Sequence, residues 1–189
     1  MDEITMKEEI SILIVEDSPT QAEQLKYILE KNGHITWIAG NGRLAINYLE
    51  EHRPLIIVSD IMMPEMDGYQ LCKIIKSNDK LKHIPVMLLT TLSEPEDVIK
   101  GLECGADSFM IKPYDEQTLI SRINYILLNV EMRKNVATTE MGLEIVFAGK
   151  KHFITSNRIQ ILDLLISTYE NAVQKSRELE KTVRELRNA

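Results

Sequence analysis

Short apolar runs alternate with longer amphipathic stretches from Ser11 to about residue 130. The apolar runs predict β-strands, and the amphipathic stretches, whose hydrophobic residues recur every three or four positions, predict α-helices. The predicted strands are 11–15, 34–39, 55–59, 85–90 and 107–111, and the predicted helices are 18–32, 42–52, 66–78, 94–104 and 115–131. Such alternation predicts a parallel sheet with right-handed crossovers and helices on both faces.

The pattern changes after residue 130. We predict an N-terminal tail at 1–10, an α/β domain at 11–130, a connector at 131–142, a β-hairpin at 143–155 and a helix at 156–189. The hairpin is predicted because two short apolar runs flank a turn at Ala148, Gly149 and Lys150.

The C-terminal stretch carries a heptad repeat that predicts a coiled coil. Its two apolar positions recur every seven residues, at Leu162, Tyr169, Ser176 and Val183, and at Leu165, Ala172, Leu179 and Leu186. We expect this helix to pair two copies of the chain as a homodimer; the alternative is one amphipathic helix folded back on its own sheet. The chain stops within a heptad, as expected of a piece of a longer protein or of one whose output is dimerisation.

Composition narrows the class of protein. No apolar run reaches the roughly 18 residues that a membrane-spanning helix needs, and the N-terminus lacks the layout of a signal peptide, so a cytoplasmic protein without membrane contact is expected. Residues 1–129 hold 12 Lys and Arg against 21 Asp and Glu, which argues against nucleic acid binding. The two cysteines, Cys72 and Cys104, are expected to be packed thiols.

Chemically active side chains follow four of the predicted strands. Glu16 and Asp17 follow the first strand, and Asp60, Thr90 and Lys112 come at the ends of the third, fourth and fifth. Because ligands of open parallel sheets bind beyond the carboxyl ends of the strands, we expect these five side chains to meet in one crevice.

This set of residues fits a divalent cation and a phosphoryl group. Glu16, Asp17 and Asp60 offer the hard oxygen ligands that Mg²⁺ prefers. Lys112 can neutralise one phosphoryl oxygen as a point charge, and the Thr90 hydroxyl can hold another. Asp60 is then predicted to be the nucleophile that forms an aspartyl phosphate.

Residues 11–130 resemble the receiver domain of two-component response regulators. The matching motifs are the acidic pair Glu16–Asp17, the segment from Asp60 to Gly68 that reads DIMMPEMDG, Thr90, Gly105–Ala106, and the FMIKP run from Phe109 to Pro113. The resemblance implies a flavodoxin-like, doubly wound five-stranded parallel sheet of order 2-1-3-4-5. It also implies Mg²⁺-dependent phosphorylation of Asp60 by a sensor histidine kinase or phosphotransfer protein, with at most slow autodephosphorylation rather than enzymatic turnover.

Further roles follow from the resemblance alone. It implies a metal ligand in the backbone carbonyl of Met62, a cis peptide between Lys112 and Pro113, and a conformational switch formed by Thr90 and Phe109. Two residues depart from the commoner pattern: Glu16 stands in place of Asp, and Phe109 in place of Tyr. The C-terminal segment resembles connectors that join a receiver to a further signalling module.

Two other functions fit this sequence less well. A phosphohydrolase that forms an acyl phosphate would use a similar sheet, but it needs a second acid two residues after its nucleophile, and Met62 occupies that position. A nucleotide-binding protein would carry a Gly-rich phosphate loop after the first strand, and the acidic pair stands there instead.

Overall fold

The computed structural model describes residues 10–91, 100–101, 103–134, 143–147, 150–154 and 184. Five strands form one parallel sheet of order β2-β1-β3-β4-β5: β1 (Ser11–Val15), β2 (Ile35–Ala39), β3 (Ile56–Asp60), β4 (Val86–Thr90) and β5 (Ser108–Ile111). This is the predicted strand order, and every strand begins and ends within one residue of its predicted limits.

Four helices are described over their full length: α1 (Pro19–Lys31), α2 (Gly42–Glu51), α3 (Gly68–Ser77) and α4 (Glu116–Lys134). Of the helix predicted at 94–104, the residues Lys100, Gly101, Glu103 and Cys104 are helical, and 92–99 and 102 lie outside the described residues. Helix α4 continues three residues past its predicted end at 131, because residues 132–134 (Met-Arg-Lys) are good helix formers with no breaker among them.

The sheet is buried on both faces because its central strands carry apolar residues on both faces. Along β1, Leu13 and Val15 face one layer of the core, and Ile12 and Ile14 face the other. The first layer packs against α2, α3 and Cys104, and the second packs against α1 and α4. The edge strand β2 is the exception, since most of its residues are partly or fully exposed.

A hairpin follows the sheet in sequence. Strands β6 (Leu143–Phe147) and β7 (Lys150–Ile154) pair antiparallel, with Phe147 opposite Lys150. The connector from 135 onward and the predicted C-terminal helix, apart from Arg184, lie outside the described residues. Among the described helices, none has the length and apolar character needed to span a bilayer.

The loop after β3 is packed too tightly to admit a larger residue at Gly68. This glycine begins α3, its N–H donates to the carbonyl oxygen of Ile61 at 2.9 Å, and an added Cβ would lie 2.4 Å from the backbone oxygen of Asp60. Asp67 and Gln70 form a reciprocal capping box at the same helix start. The end of β3 is therefore fixed in place by the start of α3.

Candidate functional site

Three carboxylates meet at the carboxyl edge of the sheet. Glu16 and Asp17 directly follow β1, Asp60 is the last residue of β3, and these strands are neighbours with Val15 beside Ser59. One oxygen from each of the three acids lies within 4.8 Å of the other two. Glu16 is buried, Asp60 is half-buried and Asp17 is exposed. The cluster therefore opens to solvent on the side of Asp17.

Hydrogen bonds fix two of these acids. The Glu16 side chain accepts from the Ser18 N–H at 3.2 Å through Oε1, and from Lys112 Nζ at 2.9 Å through Oε2. Asp60 Oδ1 accepts from the Ile61 N–H at 2.8 Å, and Asp60 Oδ2 lies 3.3 Å from Lys112 Nζ. The three atoms that could bind a cation are all carboxylate oxygens that lie close together. Hard oxygen ligands of this kind suit Mg²⁺.

Lys112 supplies the positive charge of the site. Its Nζ contacts Gln21 Oε1 at 2.8 Å in addition to the carboxylates of Glu16 and Asp60. Its backbone N–H donates to the Thr90 carbonyl oxygen at 2.6 Å, which joins β5 to the end of β4, and the bond from Lys112 to Pro113 is cis, as expected. The ammonium is thus held between the buried acid of β1 and the terminal acid of β3.

Thr90 and Phe109 lie on the neighbouring strands β4 and β5. Both are buried, Thr90 at the end of β4 and Phe109 on β5. A Cβ added at Gly101 would overlap the Phe109 ring, so this glycine makes room for the aromatic side chain. Met62 follows β3 in the loop, and its side chain is exposed.

Two residues of the site were missed by the sequence analysis. Gln21 lies on α1 and contacts Lys112 directly. Tyr114 lies two residues after Lys112, and burial, followed by the charges of Glu16 and Asp60, raises its pKa to about 12. Its phenol therefore stays protonated to a higher pH than that of an ordinary tyrosine. The only signal for either residue was its closeness in sequence to the acidic pair or to Lys112.

The chain matches known proteins over this same region. A family model described as the response regulator receiver domain matches residues 12–124. The chain is 32% identical over 143 residues to response regulator Rre1 of Synechocystis, covering 75% of this chain and 62% of that protein. It is 38% identical over 160 residues to histidine kinase P4 of Formosa agariphila, covering 85% of this chain but 11% of the kinase.

A solved structure is also similar. The crystal structure of the signal receiver domain of a signal transduction histidine kinase from Syntrophus aciditrophicus is 50% identical in sequence, with a TM-score of 0.62. The match covers 67% of this chain and 96% of the solved receiver domain. The chain thus spans nearly the whole of a solved receiver domain but less than two thirds of each of the two curated relatives above.

Proposed function

This chain belongs to the response regulator receiver family, and from that premise we propose that Asp60 accepts a phosphoryl group from a sensor histidine kinase or phosphotransfer protein. Receiver domains are phosphoacceptor switches of two-component signal transduction. The observation that carries the proposal is the setting of the Asp60 carboxylate, which has two acids within 4.8 Å and the Lys112 ammonium at 3.3 Å.

The transfer itself requires little covalent chemistry from the protein. An oxygen of Asp60 attacks the phosphorus of a phosphohistidine, the P–N bond breaks, and the imidazole nitrogen keeps the electron pair. Lys112 would neutralise one phosphoryl oxygen and the Thr90 hydroxyl would hold another, so that positioning and electrostatics carry the reaction. Slow autodephosphorylation is then hydrolysis of the resulting acyl phosphate to Asp60 and inorganic phosphate.

A magnesium ion would be held by the acidic cluster. Asp17 and Asp60 would be direct ligands together with the Met62 backbone carbonyl, and Glu16, whose oxygens already accept from Ser18 and Lys112, would act through water. Bound there, Mg²⁺ supplies the charge that screens the carboxylates from the incoming phosphoryl oxygens.

The rival function is a phosphohydrolase that turns over its acyl phosphate. Position 62 argues against it, because the exposed thioether of Met62 cannot serve as the general acid. Incubation of the chain with a small phosphodonor and Mg²⁺, followed by intact-mass measurement, separates the two. We expect one phosphoryl group per chain that persists after the donor is removed; steady release of phosphate with no retained adduct would favour the hydrolase.

The output is proposed to pass through the C-terminal segment. The alignment with histidine kinase P4 covers 160 residues, whereas the receiver model ends at 124, so the similarity continues well into this segment. Residues 131–142, the hairpin and the helix at 156–189 are proposed to connect the receiver to a signalling module and to pair two copies of the chain. Phosphorylation would then bias this pairing through the face that contains Phe109.

Light scattering of the intact chain tests the pairing. At tens of micromolar we expect a dimer that dissociates when Leu165 and Leu179 are both changed to Glu, because two charges would replace apolar contacts in the heptad stripe. The control is Gln174→Glu, which places a charge outside the stripe and should leave the dimer intact. A wild-type monomer would rule out strong pairing through this helix.

A further inference from the structure

Two glutamines occupy the same position in two helices but make different contacts. Gln70 lies three residues after the N-cap Asp67 of α3, and its side chain accepts from the Asp67 N–H at 3.2 Å. Gln21 lies three residues after the N-cap Ser18 of α1. The spacing predicts the same capping contact at both helices.

At α1 this capping contact is replaced. The Ser18 N–H donates to Glu16 Oε1 at 3.2 Å, and the Ser18 side chain makes no capping hydrogen bond. Gln21 turns instead toward β5, where its Oε1 accepts from Lys112 Nζ at 2.8 Å. The helix start therefore does not account for the position of the Gln21 side chain, whereas the lysine of the site does.

The Lys112 ammonium has three N–H donors, and three acceptors surround it. Glu16 lies at 2.9 Å and Gln21 at 2.8 Å, whereas Asp60 is the most distant at 3.3 Å. A phosphoryl oxygen on Asp60 would be a further acceptor for three N–H groups, so one of the present contacts would have to be released or shared. Gln21 is the neutral and exposed one, so its release costs less than that of the buried Glu16 carboxylate.

We propose that Gln21 is a positioning residue that acts through Lys112. Before transfer it draws the ammonium toward α1, so that the contact with Asp60 Oδ2 stays the longest of the three, at 3.3 Å, and competes less with Mg²⁺ and the phosphodonor for that carboxylate. After transfer Lys112 leaves Gln21 for a phosphoryl oxygen. This inference rests on the proposed function for its chemical meaning, but its test does not require phosphorylation.

The test is a double-mutant cycle of Gln21→Leu and Lys112→Met, in which titration calorimetry measures the Mg²⁺ affinity of each variant. In the wild-type background, Gln21→Leu should weaken Mg²⁺ binding about fivefold, the effect of one hydrogen bond, because the freed ammonium closes on Asp60 and competes for its oxygen. In the Lys112→Met background the same Gln21→Leu change should have no effect. Gln24→Leu, an exposed change one turn along α1, is the matched control and should leave Mg²⁺ affinity as in the wild type.

The outcomes separate the two proposals. An equal loss of Mg²⁺ affinity in both backgrounds, or no loss in the wild-type background, would overturn the role of Gln21. Thermal unfolding of each variant shows whether α1 is intact, and a drop in melting temperature alone would assign Gln21 to the helix. If the cycle holds but the wild-type chain takes up no phosphoryl group, the proposed function fails while the positioning of Lys112 stands.

Discussion

Asp60→Asn should abolish phosphoryl uptake from a small phosphodonor, with a fall of roughly a hundredfold or more in the rate of adduct formation. The amide oxygen of asparagine is a poor nucleophile, and the variant removes the carboxylate that ends β3 and lies 3.3 Å from Lys112 Nζ. The measurement is intact mass after a fixed time in donor and Mg²⁺.

The matched control is Asp79→Asn, which alters an exposed carboxylate that pairs with Lys82. This variant should be labelled like the wild type. Asp60→Asn preserves the size of the side chain and its ability to accept from the Ile61 N–H, so folding should be retained. Undiminished labelling of Asp60→Asn would mean that another residue is the acceptor.

Asp17→Ala should weaken Mg²⁺ binding about tenfold or more, because Asp17 is proposed as a charged ligand of the ion. Asp17 is the exposed member of the cluster, whereas both oxygens of Glu16 are engaged by Ser18 and Lys112. Phosphorylation at fixed donor should slow accordingly, and a higher Mg²⁺ concentration should restore part of the rate.

Titration calorimetry gives the affinity, and the rate at several Mg²⁺ concentrations gives the rescue. Asp79→Ala removes one negative charge elsewhere on the surface and serves as the control for net charge. If the Mg²⁺ dependence of Asp17→Ala matches that of the wild type, Asp17 is not a ligand.

The sheet could be predicted from the sequence because its central strands are apolar on both faces. The apolar runs at β1, β3 and β4 do not alternate with polar residues as a half-exposed strand would. Strands buried between two layers of helices have this pattern because both of their faces are covered. The end of α4 was harder to predict, since its final turn ends without a proline or glycine and propensity alone continues it to Lys134.

The clustering of the acids with Lys112 could be predicted because each follows a strand, and parallel strands end at one edge. Gln21 could not be found in this way, since it lies inside a helix where its spacing from Ser18 predicts a cap. Its actual contact depends on its neighbours, because Glu16 accepts from the Ser18 N–H and Gln21 accepts from Lys112 instead. Such a contact is set by three-dimensional neighbours and leaves no periodic trace in the sequence.

The most direct test of the central claim is to locate the phosphoryl group on the wild-type chain. Borohydride reduces an aspartyl phosphate to homoserine, so reduction of the Mg²⁺-dependent adduct, followed by peptide sequencing, marks the acceptor residue chemically. The account predicts homoserine at position 60 and unmodified aspartate at positions 17 and 67. Homoserine at another aspartate, or an adduct that resists borohydride and hydroxylamine, would contradict it.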